Sequence, residues 1–282
     1  MLWFWLSIAS VILFTAVNLL MRVLAVKSED PRTFSVVFNA WGGLFALILF
    51  LPQLPHIALP AAITPVQVLF ILLAILFYGI YERFHFSARK HIDASTMSVI
   101  FRLAPVIAFA GSLALFHESL TWEKLLGTGL ILMASFIVIH KNPQLSFSRP
   151  FFAALVSATA LGLAWMVDKP ASFGFPPTFY SFILWTAPLA VIAFPLPTIK
   201  QLKKEAVIGG WKVALLGLMN VTGYVAQIKA LSLAEASKVI PITSSSGTVI
   251  VLAGIFLLHE KTFMTKKILA GILMLIGIIL LK

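Results

Sequence analysis

The sequence has no cysteine and very few charged residues. Only 11% of its 282 residues are Asp, Glu, Lys or Arg, against about 25% in soluble domains. The missing cysteines exclude a disulfide framework and thiolate chemistry. Long apolar runs such as Ile71–Ile80 and Ile268–Leu281 replace the missing charge. Runs of this kind predict helices that span a membrane.

Motifs for nucleotide, metal and acyl chemistry are also absent. The sequence contains no G-x-x-x-x-G-K-[ST] loop and no H-E-x-x-H, because His117-Glu118 continues with Ser-Leu-Thr. We therefore predict no enzyme activity, no cofactor and no bound metal. The net charge of +11 does not predict nucleic-acid binding, because the basic residues lie in short connections between apolar runs.

Breaks containing Pro, Asn, Ser or charge divide the apolar runs into ten predicted helices. They are Leu2–Val26, Thr33–Leu51, Pro65–Lys90, Ala94–Phe116, Trp122–His140, Pro150–Lys169, Pro177–Phe194, Ala206–Leu233, Ala236–Leu258 and Met264–Leu281. Helix is the open-chain structure that satisfies every backbone group in lipid. The predicted fold is all-α, a polytopic membrane protein with ten transmembrane helices.

The last third of the sequence repeats the middle at an offset of 142 residues. His117-Glu118 corresponds to His259-Glu260, and Gly129 corresponds to Gly271. This predicts two five-helix repeats, over residues 1–141 and 142–282. Because five is an odd number of spans, the second repeat starts on the opposite side of the membrane, which makes the repeats inverted. Carriers built in this way bind their substrate between the repeats.

The basic residues of the loops are distributed unevenly between the two sides of the predicted bundle. The N-terminal side has three: Lys124, Lys238 and Lys282. The opposite side has twelve: Lys27, Arg32, Arg89, Lys90, Lys141, Arg149, Lys200, Lys203, Lys204, Lys261, Lys266 and Lys267. The positive-inside rule therefore predicts that both termini lie outside the cytoplasm.

Two copies of one pattern carry a family resemblance. Each has a small-residue start, an apolar helix, a Glu, a short turn and a Gly-containing last helix, as in Ala94-Ser95, Glu118 and Gly129, then Ala236-Ser237 and Glu260. The order resembles the EamA-like, ten-helix members of the drug/metabolite transporter superfamily. The resemblance implies termini in the cytoplasm, against the loop charges, so the orientation stays open.

The resemblance and the missing nucleotide site together predict a secondary transporter. We expect it to move a small organic metabolite, amino-acid-like or amphipathic and drug-like, across the cytoplasmic (inner) membrane by alternating access, as an exporter. The expected partners are the substrate, a coupling proton and the lipid bilayer, and the chain is expected as a monomer or homodimer. The alternatives are a lipid-linked carrier or flippase of the same fold and an integral-membrane enzyme.

Glu82 and Arg102 are the clearest functional residues within predicted spans, where an ionisable side chain is costly. Each lies ten residues from Ile92, where the chain turns, which places both at the same depth in a helical hairpin. One hypothesis is that they line the substrate path and that Glu82 takes up a proton. The alternative is a static ion pair that locks the two helices. The second repeat has Tyr224 and Ser244 at these positions.

Other polar and aromatic residues within spans complete a predicted substrate path. They are Asn18, Asn39, Tyr78, Trp165, Trp185, Asn220, Tyr224, Gln227 and Ser244. For any single one of them, packing between helices is the competing explanation. Arg22 and Lys169 are anion-binding candidates, with Asp168-Lys169 as a predicted interface pair. For Glu118, stabilisation of the N-terminus of the next helix is favoured over a proton site.

Overall fold

The computed structural model describes residues 1–56, 63–92, 97, 100–116, 118–139, 148–246, 249 and 264–282. Helices account for nearly all of this part of the chain, which contains no strand. The helices are α1 (Leu2–Lys27), α2 (Pro31–Phe50), α3 (Pro65–His91), α4 (Leu103–Phe116), α5 (Trp122–Ile139), α6 (Arg149–Ser172), α7 (Pro177–Thr186), α8 (Leu189–Ile192), α9 (Ile199–Leu231), α10 (Ala236–Ser244) and α11 (Met264–Leu281). The all-helical prediction is confirmed.

Five segments are long and apolar enough to cross a membrane: Leu2–Lys27, Pro31–Pro55, Pro65–His91, Arg149–Ser172 and Ile199–Leu231. Shorter apolar helices cover Leu103–Leu115, Pro177–Ile192 and Ile268–Leu281. Large apolar side chains, among them Leu72 and Ile279, point outward from the bundle. In a multi-pass membrane protein such a surface faces lipid.

The helix α9 begins at Ile199 and not at Ala206 as predicted. Thr198 and Gln201 form a capping box at its start, which satisfies backbone N–H groups that have no partner within the helix. The lysines after Thr198 had indicated a loop, but they lie on the exposed side of this first segment. Gly210 then adopts a φ of 51°, a conformation that glycine adopts without steric cost, and separates the segment from the longer part that follows.

Proline defines the shape of the seventh predicted helix, Pro177–Phe194. It is continuous only to Thr186, and Pro188 is the N-cap of the short α8. Proline removes a backbone donor and clashes with the preceding turn, so an interruption here follows from the sequence. Two other predicted helices are described only in part. Much of the start of Ala94–Phe116 and much of the end of Ala236–Leu258 lie outside the described residues.

The bundle packs through a few extensive helix pairs. Helix α3 packs along α6, α1 along α9, and α5 along α11. The largest buried cluster includes Phe34, Phe38 and Phe86, and the Phe86 ring packs edge to face against each of the other two. Between this core and α4 and α10 lies an unfilled space, and polar residues from several helices line it.

Candidate functional site

A cavity of about 450 Å³ lies in the interior of the helix bundle. Pockets that bind small molecules fall in this size range. Ten of the eleven residues predicted for the substrate path line it: Asn18, Asn39, Tyr78, Glu82, Arg102, Trp165, Trp185, Asn220, Tyr224 and Ser244. Gln227 is not among the lining residues; it is buried, and neither its amide nitrogen nor its oxygen has a hydrogen-bond partner in the described part of the chain.

Glu82 and Arg102 line the cavity without forming an ion pair. The three ion pairs between described residues involve other partners. Glu82 Oε2 accepts a 3.3 Å hydrogen bond from Ser35 Oγ, and Arg102 Nη1 donates to the Ser244 carbonyl at 3.2 Å. The proposed locking pair is therefore wrong. Counting residues from the turn at Ile92 predicts that Glu82 and Arg102 lie at the same depth, but it does not predict the direction in which each side chain points.

Arg102 and Ser244 are corresponding positions of the two sequence copies, 142 residues apart. Arg102 is 7% exposed, and its Nε has no hydrogen-bond partner among the residues described. A buried guanidinium with an unused donor costs free energy unless an acceptor arrives. The cavity wall at Arg102 therefore holds a positive charge that is only partly satisfied.

The cavity extends toward the basic end of the bundle. Its lining includes Val23, Arg89 and Ile92, in or just after the last turns of α1 and α3. Arg89 Nη2 donates to Asn18 Oδ1 at 2.8 Å, and its Nε donates to His85 Nε2 at 2.6 Å. These contacts form a polar rim on the side where the chain places most of its loop lysines and arginines.

Toward the opposite end, two tyrosines that line the cavity contact a buried carboxylate. Asp168 is completely buried and accepts hydrogen bonds from Tyr78, Tyr180 and Tyr224. The predicted pair between Asp168 and Lys169 is not formed, because Lys169 points to Glu118. The sequence did not predict this cluster, because its members lie on four different helices. The one signal in the sequence is that each of them is a polar residue within an apolar span.

Glu118 joins the two halves of the chain beyond these tyrosines. It accepts from the backbone N–H groups of Ala236 at 2.9 Å and Ser237 at 3.0 Å, and it pairs with Lys169 at 3.0 Å. The predicted helix-terminus role holds, but the helix is α10 of the second copy and not the next helix along the chain. Lys169 is therefore engaged by a carboxylate rather than left to bind an anion.

Nearby, a second ion pair strengthens the same end of the bundle. Lys124, which is 1% exposed, lies 2.8 Å from Glu235 Oε1. Its ammonium also donates to the Ser119 carbonyl. Together with Glu118, these contacts connect the α4–α5 loop to the α9–α10 connection. The side chain of Arg22, the other predicted anion-binding residue, lies outside the described residues.

The model of the EamA-like transporter family matches residues 1–140 and 149–282 of this chain. The chain belongs to the EamA-like transporter family. A solved crystal structure is similar over 99% of this chain and 95% of its own length, with a TM-score of 0.72 at 15% identity; at this identity the likeness shows the fold alone. No curated protein matches the sequence.

Membership of the EamA-like family makes this a multi-pass membrane transporter with a small-molecule substrate. The two matched segments lie close to the predicted repeats, but the division at residue 141, the count of ten helices and their inversion stay predictions. Among the described residues, no group of three or more His, Cys, Asp or Glu could hold a metal ion.

The contacts of Glu118 predict a pH-dependent stability. Partial burial favours a higher pKa, but hydrogen bonds from Ser237, Lys169 and Ala236 outweigh it and hold the pKa of Glu118 below its usual 4.5. A lowered pKa stabilises the fold above the usual value, and this contribution is lost as the pH falls below 4.5 through the folded-state pKa. We expect Glu118→Gln to lower the unfolding temperature at neutral pH, at a cost of about 1–3 kcal/mol, and to flatten the acid dependence.

Glu29→Gln is the control for thermal unfolding, because Glu29 is exposed and its ion pair with Lys204 lies at the surface. It should leave the unfolding temperature nearly unchanged at neutral pH. An acid profile of Glu118→Gln that matches the unmodified protein would show that this carboxylate does not hold α10 to the α4–α5 loop.

Proposed function

We propose that this EamA-like protein is a secondary transporter that exports a small zwitterionic solute with an apolar part across the cytoplasmic membrane. One observation carries the proposal. Glu82 and Arg102, of opposite charge, lie on the wall of one cavity without pairing with each other. A solute with an ammonium group and a carboxylate complements both charges, as a singly charged solute does not.

The rest of the cavity wall favours a partly apolar solute. Trp165, Trp185 and Phe101 contribute aromatic surface, while Asn18 and Asn220 contribute amides. Pockets for small molecules combine apolar walls with a few polar groups that fix orientation. Amino-acid-like compounds and amphipathic drug-like amines fit this description.

The asymmetry of the cavity supports alternating access. Polar residues at the rim lead to the basic side, and Glu118, Lys169, Lys124 and Glu235 join the helices on the other side. If the basic side is cytoplasmic, as the positive-inside rule predicts, the cavity is loaded from the cytoplasm. Loading from this side is what export requires. The fold in inverted repeats would supply the opposite state by rocking one half against the other.

Three probes with the same phenyl group test the substrate class. L-Phenylalanine has both charges, phenethylamine has the ammonium alone, and 3-phenylpropionate has the carboxylate alone. We expect L-phenylalanine to raise the unfolding temperature of the purified protein most, because only it satisfies both Glu82 and Arg102. Glu82→Gln should weaken phenethylamine more than 3-phenylpropionate, by about 10-fold or more.

Equal stabilisation by all three probes would contradict the two-charge site, as would a Glu82→Gln variant with unchanged preferences. Glu29→Gln is the control. Glu29 pairs with Lys204 at the surface and does not line the cavity, so this variant should keep the probe preferences of the unmodified protein. The flippase alternative predicts a phosphate headgroup at Arg22 and Lys169. Glu118 already pairs with the Lys169 ammonium, and the Arg22 side chain lies outside the described residues.

The orientation has its own test, because the chain has no cysteine. We expect a single cysteine at Gln53, which lies at the N-terminal side after α2, to react with an impermeant maleimide added to intact cells. A cysteine at Asn142 should react only after the cells are opened. The reverse pattern would place the termini in the cytoplasm and turn the rim of the cavity to the outside.

A further inference from the structure

Three of the four tyrosines of the chain donate to one buried carboxylate. Tyr78 Oη lies 2.6 Å from Asp168 Oδ2, while Tyr180 Oη and Tyr224 Oη lie 3.0 and 2.9 Å from Oδ1. The tyrosines come from α3, α7 and α9, and Asp168 from α6. A single side chain thus connects four helices of the bundle.

No cation among the described residues pairs with Asp168. Its neighbour Lys169 pairs with Glu118, α4 has no ionisable residue, and Lys238 of α10 makes no ion pair with it. The groups that face it from α3, α7 and α9 are the three phenol hydroxyls. A charge away from water is costly unless it is compensated, so these hydrogen bonds take the place of a counter-ion.

Hydrogen-bond chemistry ties the charge of Asp168 to the cavity. An ionised carboxylate can only accept, and it accepts all three hydroxyl protons here. When a proton binds to a carboxylate oxygen, that oxygen gains an O–H bond and becomes a donor. The tyrosine nearest this O–H group can then reverse its role, accept from Asp168 and direct its own hydrogen elsewhere. Tyr78 and Tyr224 line the cavity, whereas Tyr180 is fully buried.

We propose that Asp168 is a proton-binding site whose occupancy sets whether the hydroxyls of Tyr78 and Tyr224 present an acceptor or a donor to the cavity. This would separate the coupling proton from Glu82, which was the site expected from the sequence. The binding of a proton at Asp168 is independent of the substrate; its use in transport rests on the proposed function.

Infrared difference spectroscopy of the purified protein tests the site without any substrate. As the pH falls, we expect the C=O band of a protonated carboxyl group to appear together with a change in the tyrosine ring bands. Asp168→Asn should remove both signals together. Glu82→Gln should leave this coupled pair of signals in place, even if it removes a separate carboxyl band.

Tyr180→Phe keeps the test decisive if Asp168→Asn does not fold. It removes one donor to the carboxylate without changing the lining of the cavity. The coupled signal should then move to higher pH by roughly one to two units, because the remaining two hydrogen bonds stabilise the anion less.

A coupled signal that survives in Asp168→Asn, or one that Tyr180→Phe does not move, would overturn the proposal. So would a carboxyl band that changes without the tyrosine bands. None of these outcomes depends on the phenyl probes, so the substrate class and the proton site can fail separately.

Discussion

Replacing Arg102 by methionine is expected to weaken the binding of L-phenylalanine by about 30-fold or more. The guanidinium is the positive charge on the cavity wall, and its loss would leave the carboxylate of the solute without a partner. Truncating one member of a buried charge pair costs about 2–5 kcal/mol, and each 1.4 kcal/mol is about a tenfold change in affinity. The measurement is the probe-dependent rise in unfolding temperature at graded concentrations, which yields the dissociation constant.

Arg83→Met is the matched control. Arg83 also donates to backbone carbonyls, those of Val191 and Phe194, but it does not line the cavity. It should cost stability like Arg102→Met without changing the affinity for L-phenylalanine. Phenethylamine should bind Arg102→Met and the unmodified protein alike. If both probes lose affinity equally, Arg102 acts through the fold and not through the solute.

Gly277→Leu is expected to destabilise the protein more than any substitution in the cavity. A Cβ at Gly277 would lie 2.6 Å from the Gly127 carbonyl oxygen, and backbone cannot move away as a flexible side chain can. Helices α5 and α11 would have to separate, at a cost of about 3 kcal/mol or more. Small residues at such crossings let membrane helices pack closely. Thermal unfolding followed by size-exclusion chromatography measures the effect.

Gly129→Leu is the control, two residues along α5 from Gly127. A Cβ at Gly129 would meet nothing within 4 Å, so the variant should keep the unfolding temperature of the unmodified protein. Gly127 and Gly129 are both small residues of one apolar helix in the sequence, and only the structure separates their surroundings. If Gly277→Leu and Gly129→Leu unfold at the same temperature, α5 and α11 do not pack through this glycine contact.

The cavity wall was largely predictable from the sequence for one physical reason. A polar side chain within an apolar helix is costly in lipid, so residues such as Asn39, Glu82 and Asn220 had to face the interior of the bundle. Aromatic residues followed less directly, since Trp165 and Trp185 could equally have been interfacial. Their role in a substrate path stays a prediction that the probe experiments address.

The partners of these side chains were not predictable, because spacing along one helix gives depth and leaves the neighbouring helix unknown. Glu82 meets Ser35 of α2, and Asp168 meets tyrosines from three helices. The partner of Glu118 was unpredictable for the same reason, because its carboxylate caps a helix more than a hundred residues away in the sequence. The start of α9 was misplaced because a capping box at Thr198 outweighed the adjacent lysines.

The hydrogen bond from Arg102 to Ser244 joins two corresponding positions of the sequence copies. In a pair related by a two-fold axis, a residue meets its own counterpart only beside that axis. Under the proposed inverted repeat, an ancestor with identical halves would therefore have placed arginine against arginine here, or serine against serine. Two facing guanidinium groups repel, so a lone charge at this point requires halves that mutate independently. Fusion of the two halves into one gene would have made the charged wall of the cavity accessible to evolution.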